Sequence, residues 1–145
     1  MTEPIETQDT LVSLQIKAES LNEGQFDVLF TGVDAAGDPL TGSVMVLTQQ
    51  FMQSRENLTQ AAATMAPAPV GSYGQDQAHV GLNLEQGGSG GLEFVFSVAY
   101  PTGEPGYQPP SLRASVTSAA LNRLADGLGQ ILQAGEGNVN WVPAE

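Results

Sequence analysis

The chain has no cysteine, and this absence excludes both a disulfide framework and a thiolate metal site. Long apolar runs are lacking as well, since no stretch approaches the roughly 18 consecutive apolar residues typical of a membrane-spanning helix. The first ten residues, MTEPIETQDT, contain neither a basic region nor an apolar stretch, so no secretory signal is recognised. Together these absences predict a cytoplasmic protein.

Basic residues are scarce. The sequence contains 4 Lys and Arg against 16 Asp and Glu, which gives a net charge of −12. The four basic residues are scattered along the chain, at Lys17, Arg55, Arg113 and Arg123. Phosphate backbones and anionic membranes are bound by clustered Lys and Arg, so we expect no direct nucleic-acid binding and no membrane binding. The acidity then has two interpretations, solubility or a basic protein partner.

Residues that could perform catalysis or hold a cofactor are few. The single histidine, His79, falls on the polar face of a predicted strand, and Glu85 and Glu93 are predicted to face each other across a hairpin. The glycine-rich segment 87–91 lies between two predicted strands and is not followed by lysine, unlike a phosphate-binding loop. The turn at 34–38 lacks the alternating oxygen ligands of a calcium loop. We therefore expect no enzymatic activity, no cofactor and no metal site.

Hydrophobic periodicity predicts a single α+β domain. Period-two alternation indicates six strands, at 11–18, 25–33, 40–50, 78–86, 92–100 and 112–116. Helical spacing indicates helices at 51–66, with Ser54 as a possible cap, and at 117–135. The expected fold has two layers, with two helices on an antiparallel sheet of about six strands in the order βββαβββα. The third strand is apolar on both faces, so we expect it to be central in its half.

The predicted boundaries leave three segments outside regular structure. Residues 1–9 read as a flexible tail, residues 10–135 as the domain and residues 136–145 as a C-terminal tail. Residues 67–77 contain Pro67 and Pro69 and read as a loop. The two halves repeat the same order of elements with little sequence identity, so an internal duplication is a hypothesis.

The C-terminal helix carries the clearest pattern in the sequence. Leu121, Leu124 and Leu128 recur at three- and four-residue spacing and predict a buried stripe. Thr117 or Ser118 suits the N-cap and Gly135 suits the left-handed residue that ends the helix. Gly127, inside the helix, is either exposed or pressed onto the sheet.

Four residues are candidate partner-binding residues. Tyr107 and Trp141 lie outside the periodic core positions, and tyrosine and tryptophan are favoured anchors of protein interfaces. Asp34 and Asp38 place two acidic groups in one turn. For Trp141 the alternative is that its ring folds back to close one end of the sheet.

Residues 40–134 resemble a known group of proteins in their order of elements: a strand at 40–50, a helix at 51–65, a long hairpin from 78 to 100, and a strand running into a terminal amphipathic helix at 111–132. This order resembles small bacterial immunity proteins that accompany wall-associated toxins. The resemblance implies an α+β fold and the binding of a toxin without catalysis, and it transfers no functional residues. A second resemblance is to the acidic chaperones of specialised secretion systems.

Charge, the missing catalytic set and the loop aromatics together predict a non-enzymatic acidic protein, such as an immunity protein or inhibitor, that binds a basic protein partner. The alternative is a structural or accessory subunit of a phage or secretion assembly, or an acidic secretion chaperone. A strand edge without charge, as in 40–50, also favours a homo-oligomer.

Overall fold

The protein is α+β, as predicted. The computed structural model describes residues 10–21, 24–74, 79–87, 91–99 and 110–143. Within them the helices are α1 (Thr48–Thr64) and α2 (Ser118–Ala134). The strands are β1 (Leu11–Ser20), β2 (Gln25–Asp34), β3 (Pro39–Leu47), β4 (Ala68–Tyr73), β5 (His79–Gln86), β6 (Leu92–Ala99), β7 (Ser111–Ser115) and β8 (Glu136–Trp141).

The strands form two antiparallel sheets instead of the single sheet of about six strands that the sequence predicted. The first sheet has the order β3-β2-β1-β8 and the second has the order β4-β5-β6-β7. The predicted order βββαβββα is corrected to βββαββββαβ. β3 lies at the edge of its sheet, so its prediction as a central strand is wrong. Its second apolar face is exposed, at Met45 and Leu47.

Two strands, β4 and β8, were not predicted from the sequence, and each pairs with a strand from the other half of the chain. β4 lies in the predicted loop at 67–77 and pairs with β5, with a bulge between Pro69 and Gly71. β8 occupies most of the predicted C-terminal tail at 136–145 and pairs with β1. Both are edge strands, the position in a sheet where proline is found because its missing N–H can fall on the unpaired side of the strand.

The two halves share strand pairing and element order, in keeping with the duplication hypothesis. The unit β1-β2-β3-α1-β4 is repeated by β5-β6-β7-α2-β8. The registers of the strand pairs also correspond between the units. In the first two strands, the pair Ile16↔Phe30 matches Leu82↔Phe96, and in the second and third strands Phe30↔Gly42 matches Phe96↔Leu112. Between the first strand and the exchanged strand, Leu14↔Trp141 matches Val80↔Tyr73. Each unit therefore donates its last strand to the sheet of the other.

The sheets pack against each other through equivalent residues and close backbone approaches. Phe30 and Phe96, which occupy the same place in the two units, have ring centroids 6.4 Å apart. A Cβ atom on Gly32 would lie 2.7 Å from the Phe96 ring, and one on Gly42 would lie 2.6 Å from Val80. Larger residues at either glycine would push the sheets apart. One continuous cluster of buried apolar residues spans both units.

The helices pack on each other and on the exchanged strands. α1 contacts α2 and β4, and α2 contacts β8. The predicted ends of α2 are confirmed: the Thr117 side chain accepts a hydrogen bond from Ala120 N, and Gly135 is left-handed with φ of 82°. In α1 the cap prediction is wrong, because the helix begins at Thr48 and Ser54 is buried inside it. Met65 ends α1 in the left-handed region and is exposed.

Candidate functional site

Three of the four predicted partner-binding residues, Trp141, Asp34 and Asp38, lie within the described residues. Tyr107 lies outside the described residues. Trp141 is only 3% exposed; its Nε1–H donates to Ala120 O at 2.7 Å and its ring packs edge-on against Phe94. Trp141 is thus a core residue at the end of β8, as the alternative prediction held, and it offers no surface to a partner.

The turn at 34–38 uses one of its carboxylates for its own structure. Asp34 Oδ1 accepts hydrogen bonds from the backbone N–H groups of Ala36 and Asp38, each at 2.9 Å. This side-chain-to-backbone pattern is a common way for aspartate to hold a tight turn. The Asp38 side chain is exposed. A partner-binding role for either residue stays a prediction.

The outward side of the first sheet carries an arrangement that the sequence did not predict, which we call the acidic face: Glu19, Asp27, Glu136, Leu29 and Met45. Glu19 lies directly opposite Asp27 on one side and Glu136 on the other, so three exposed carboxylates form one row across three strands. Leu29 and Met45 adjoin the row and are 41% and 50% exposed. The row borders a shallow depression of about 520 Å³.

Part of the acidic face could have been recognised from the sequence. Leu29 interrupts the outward side of β2, where polar residues are otherwise expected, and Asp27 lies two residues before it. Glu136 could not be placed, because β8 was predicted to be a tail. The row of three carboxylates depends on the exchange of β8 into the first sheet.

No ion pair neutralises the row within the described part of the chain. The two ion pairs there both belong to Arg113 on the second sheet. Lys17, on the same side of β1, lies opposite Leu29 and Asn138 and forms no ion pair with described residues. Like charges directly opposite each other destabilise a sheet. The row, with Lys17 beside it, therefore leaves this face with more acidic than basic groups.

The second sheet shows a similar pair of facing carboxylates, here with an ion pair to each. Glu85 and Glu93 are directly opposite each other on β5 and β6, which confirms their predicted pairing. Arg113 on β7 contacts Glu93 at 3.2 Å through one terminal nitrogen and Glu85 at 3.5 Å through the other. All three side chains are partly exposed, so the contribution of each pair to stability is about 0–1 kcal/mol.

The remaining polar clusters have structural surroundings. The His79 ring is exposed and its Nε2 is hydrogen bonded to the Ser72 hydroxyl. Tyr73 and Ser54 form a buried hydroxyl pair at 2.5 Å, and Tyr73 also stacks on Phe30. Burial raises the pKa of Tyr73 to about 12, and the hydrogen bond to Ser54 acts in the opposite direction. The phenol therefore stays protonated at neutral pH and cannot act there as a base.

Among the described residues, no group of three or more His, Cys, Asp or Glu side chains is arranged to hold a metal ion. None of the described helices is long and apolar enough to cross a membrane.

Compared with known proteins, the chain matches no family model and no curated protein. The resemblance to immunity proteins accordingly stays a prediction.

Proposed function

We propose that this protein is a non-enzymatic binding protein whose acidic face receives a basic protein partner. The observation that carries the proposal is the row formed by Glu136, Glu19 and Asp27, which has no ion pair within the described residues and adjoins exposed Leu29 and Met45. Exposed carboxylates beside apolar side chains suit a partner that presents both cationic and apolar groups.

The charge of the whole molecule supports the same kind of partner. A net charge of −12 attracts cationic proteins over distances of about a Debye length and repels further copies of the chain. Association with a basic partner should therefore be faster in low salt than in high salt. A toxin partner, as the resemblance to immunity proteins implies, is one member of this class.

The test is capture of partners from an extract of the protein's own cells, at low and at high salt, with two charge-matched variants. The first, Glu19→Gln, Asp27→Asn and Glu136→Gln, neutralises the row. The second, Glu56→Gln, Glu85→Gln and Asp126→Asn, removes the same charge from exposed or partly exposed sites elsewhere. We expect the first variant to lose a basic partner that the wild type retains at low salt, and the second to keep it. Equal capture by both variants, or no basic partner at either salt concentration, contradicts the proposal.

A second candidate function is a subunit of a larger assembly, such as a phage or secretion particle, or a secretion chaperone. It is favoured by β3, a nine-residue edge strand without a charged residue whose outward side exposes Met45 and Leu47. In light scattering, this function requires concentration-dependent association into a homo-oligomer or a larger assembly. A monomer at high concentration and moderate salt contradicts self-assembly and leaves the basic partner as the better proposal.

A further inference from the structure

The internal repeat allows the two outward sheet faces to be compared position by position. Glu19 and Asp27 on the first sheet correspond to Glu85 and Glu93 on the second, because both pairs sit at the same register between the first two strands of their unit. In the third strand of each unit, Ser43 corresponds to Arg113: Ser43 pairs with Leu29, and Arg113 pairs with the equivalent Val95.

The comparison identifies one missing group. On the second sheet, the guanidinium of Arg113 bridges the two facing carboxylates. On the first sheet, the two carboxylates are in place, but the position that would supply the guanidinium holds Ser43, whose short neutral side chain cannot reach or neutralise them. Glu136 adds a third carboxylate to the first sheet. Lys17, whose counterpart on the second sheet is Asn83, lies beside this row but forms no ion pair with a described residue.

The first sheet also exposes apolar side chains beside its carboxylates, whereas their counterparts on the second sheet are polar or buried. Met45 on the first sheet is 50% exposed, and its counterpart on the second sheet is Ser115. Leu29 is 41% exposed, whereas its counterpart Val95 is buried. On the second sheet both carboxylates thus have an ion pair with Arg113, whereas the first combines carboxylates that have no ion pair among the described residues with exposed apolar side chains.

We infer that the acidic face is a docking surface for an arginine of a basic protein partner, which bridges Glu19 and Asp27 from above Ser43 as Arg113 bridges Glu85 and Glu93. This inference rests on the proposed function and makes its partner specific. The partner segment presents arginine next to apolar side chains that cover Leu29 and Met45. Arginine is favoured over lysine because its planar group offers several donors in fixed directions and so reaches two carboxylates at once.

The test uses a defined probe, a short blocked peptide in which arginine alternates with leucine. Two comparison peptides replace arginine by lysine or by its neutral isostere citrulline. Each is titrated into isotopically labelled full-length protein at low salt and followed by NMR. We expect the arginine peptide to shift the signals of Leu29, Met45 and Ser43, the lysine peptide to bind several-fold more weakly, and the citrulline peptide to bind at least tenfold more weakly.

Three variants test the place of the arginine. Ser43→Arg supplies the missing group within the chain and should weaken the arginine peptide at least tenfold, without lowering the urea midpoint of unfolding. Ser115→Arg adds the same charge to the second sheet and should change the affinity less than threefold. Arg113→Ser uncovers Glu85 and Glu93 and should create a second, weaker site, seen as peptide-induced shifts in β5 and β6.

The outcomes separate this inference from the proposed function. If the arginine peptide binds the acidic face equally well after Ser43→Arg, or if citrulline replaces arginine without loss, the arginine bridge is wrong. The arginine bridge is also wrong if the peptide leaves the NMR signals of the acidic face unchanged while capture of a protein partner still depends on Glu19, Asp27 and Glu136. If the peptide behaves as expected but no basic partner is captured from the extract, the proposed function fails and the arginine site stands as a surface property.

Discussion

At the scale of single residues, Gly127 shows how closely α2 approaches its exchanged strand. A Cβ atom at this position would lie 2.9 Å from both γ-carbons of Val139 on β8. Gly127 is buried, so the first of the two sequence alternatives, an exposed glycine, is wrong. The helix presses its backbone onto the sheet there, and the space for a methyl group is already occupied.

We therefore expect Gly127→Ala to destabilise the protein. Helix propensity favours alanine by about 1 kcal/mol, but forcing a methyl group into a filled site costs about 1–3 kcal/mol. Urea unfolding should show a lower midpoint for the variant. In a Val139→Ala background, which removes the two γ-carbons, the same substitution should become neutral or stabilising. A penalty that is unchanged in that background would mean that Val139 is not the obstacle.

Tyr73 gives a residue-scale prediction about alkaline pH. Because burial raises the pKa of Tyr73 from its ordinary value of 10.0 to about 12, folding favours the protonated phenol. The protonated phenol contributes fully to the free energy of unfolding below the pKa of about 10 that it has in the unfolded chain, and this contribution is lost as the pH rises towards 12. The loss corresponds to about 2–3 kcal/mol. Unfolding midpoints measured between pH 9 and 11.5 should fall more steeply for the wild type than for Tyr73→Phe.

The control for Tyr73 is its buried partner. Tyr73→Phe leaves the Ser54 hydroxyl without its hydrogen bond and should cost about 1–3 kcal/mol at neutral pH. Ser54→Ala combined with Tyr73→Phe removes both polar groups and should recover much of that loss. Parallel pH profiles for the wild type and Tyr73→Phe would show that Tyr73 does not ionise with the raised pKa.

At the scale of elements, the buried stripe of α2 is the part of the sequence prediction that the structure confirms most directly. Leu124 and Leu128 are buried, while Asn122 and Gln130 are exposed on the same helix. Each Leu→Ala substitution should leave a cavity and cost about 2–5 kcal/mol, whereas Asn122→Ala and Gln130→Ala should stay within about 0.5 kcal/mol. Urea midpoints compare the four variants. Similar effects from Leu124 and Asn122 would contradict the packing described here.

The environment of Trp141 tests the pairing of β8. Because this is the only tryptophan and it is packed against Phe94 and α2, its fluorescence should be blue-shifted and poorly quenched by acrylamide in the native protein. Urea should shift the emission to the red in the same transition that removes the helical signal. Emission typical of exposed tryptophan in the native state would show that 136–141 is the tail that the sequence predicted.

The elements that sequence patterns located are those with a buried face of their own. β1, β2, β5 and β6 alternate apolar and polar residues because one side of each faces the core, and this made them predictable. β4 and β8 carry proline, glycine or asparagine and depend on strands from the other half of the chain for pairing. Such pairing has no local signal, so the acidic face could be predicted only in part, as Leu29 beside Asp27.

At the scale of the whole molecule, the exchange of β4 and β8 makes the two units mutually dependent. Neither unit contains all four strands of a sheet, and their helices pack on each other. The acidic face itself is built from both units, since Glu136 comes from the second and Glu19 and Asp27 from the first. A partner that binds this face would therefore recognise the assembled protein and not either half.

The repeat predicts that the order of the units along the chain does not matter. The connection from β4 to β5 joins paired neighbours, Tyr73 and Val80, and the corresponding ends of β8 and β1 are the paired neighbours Trp141 and Leu14. A circular permutant opened between 74 and 79, with a Gly/Ser linker of about four residues joining 143 to 10, would again read βββαββββαβ. We expect native circular dichroism, buried Trp141 fluorescence and unfolding in a single transition.

A permutant opened inside β2 is the control, because it cuts a central strand and should fail to fold. If the first permutant also fails while remaining soluble, the junction between β8 and β1 is not equivalent to the one between β4 and β5, and the two-unit description of the fold is wrong.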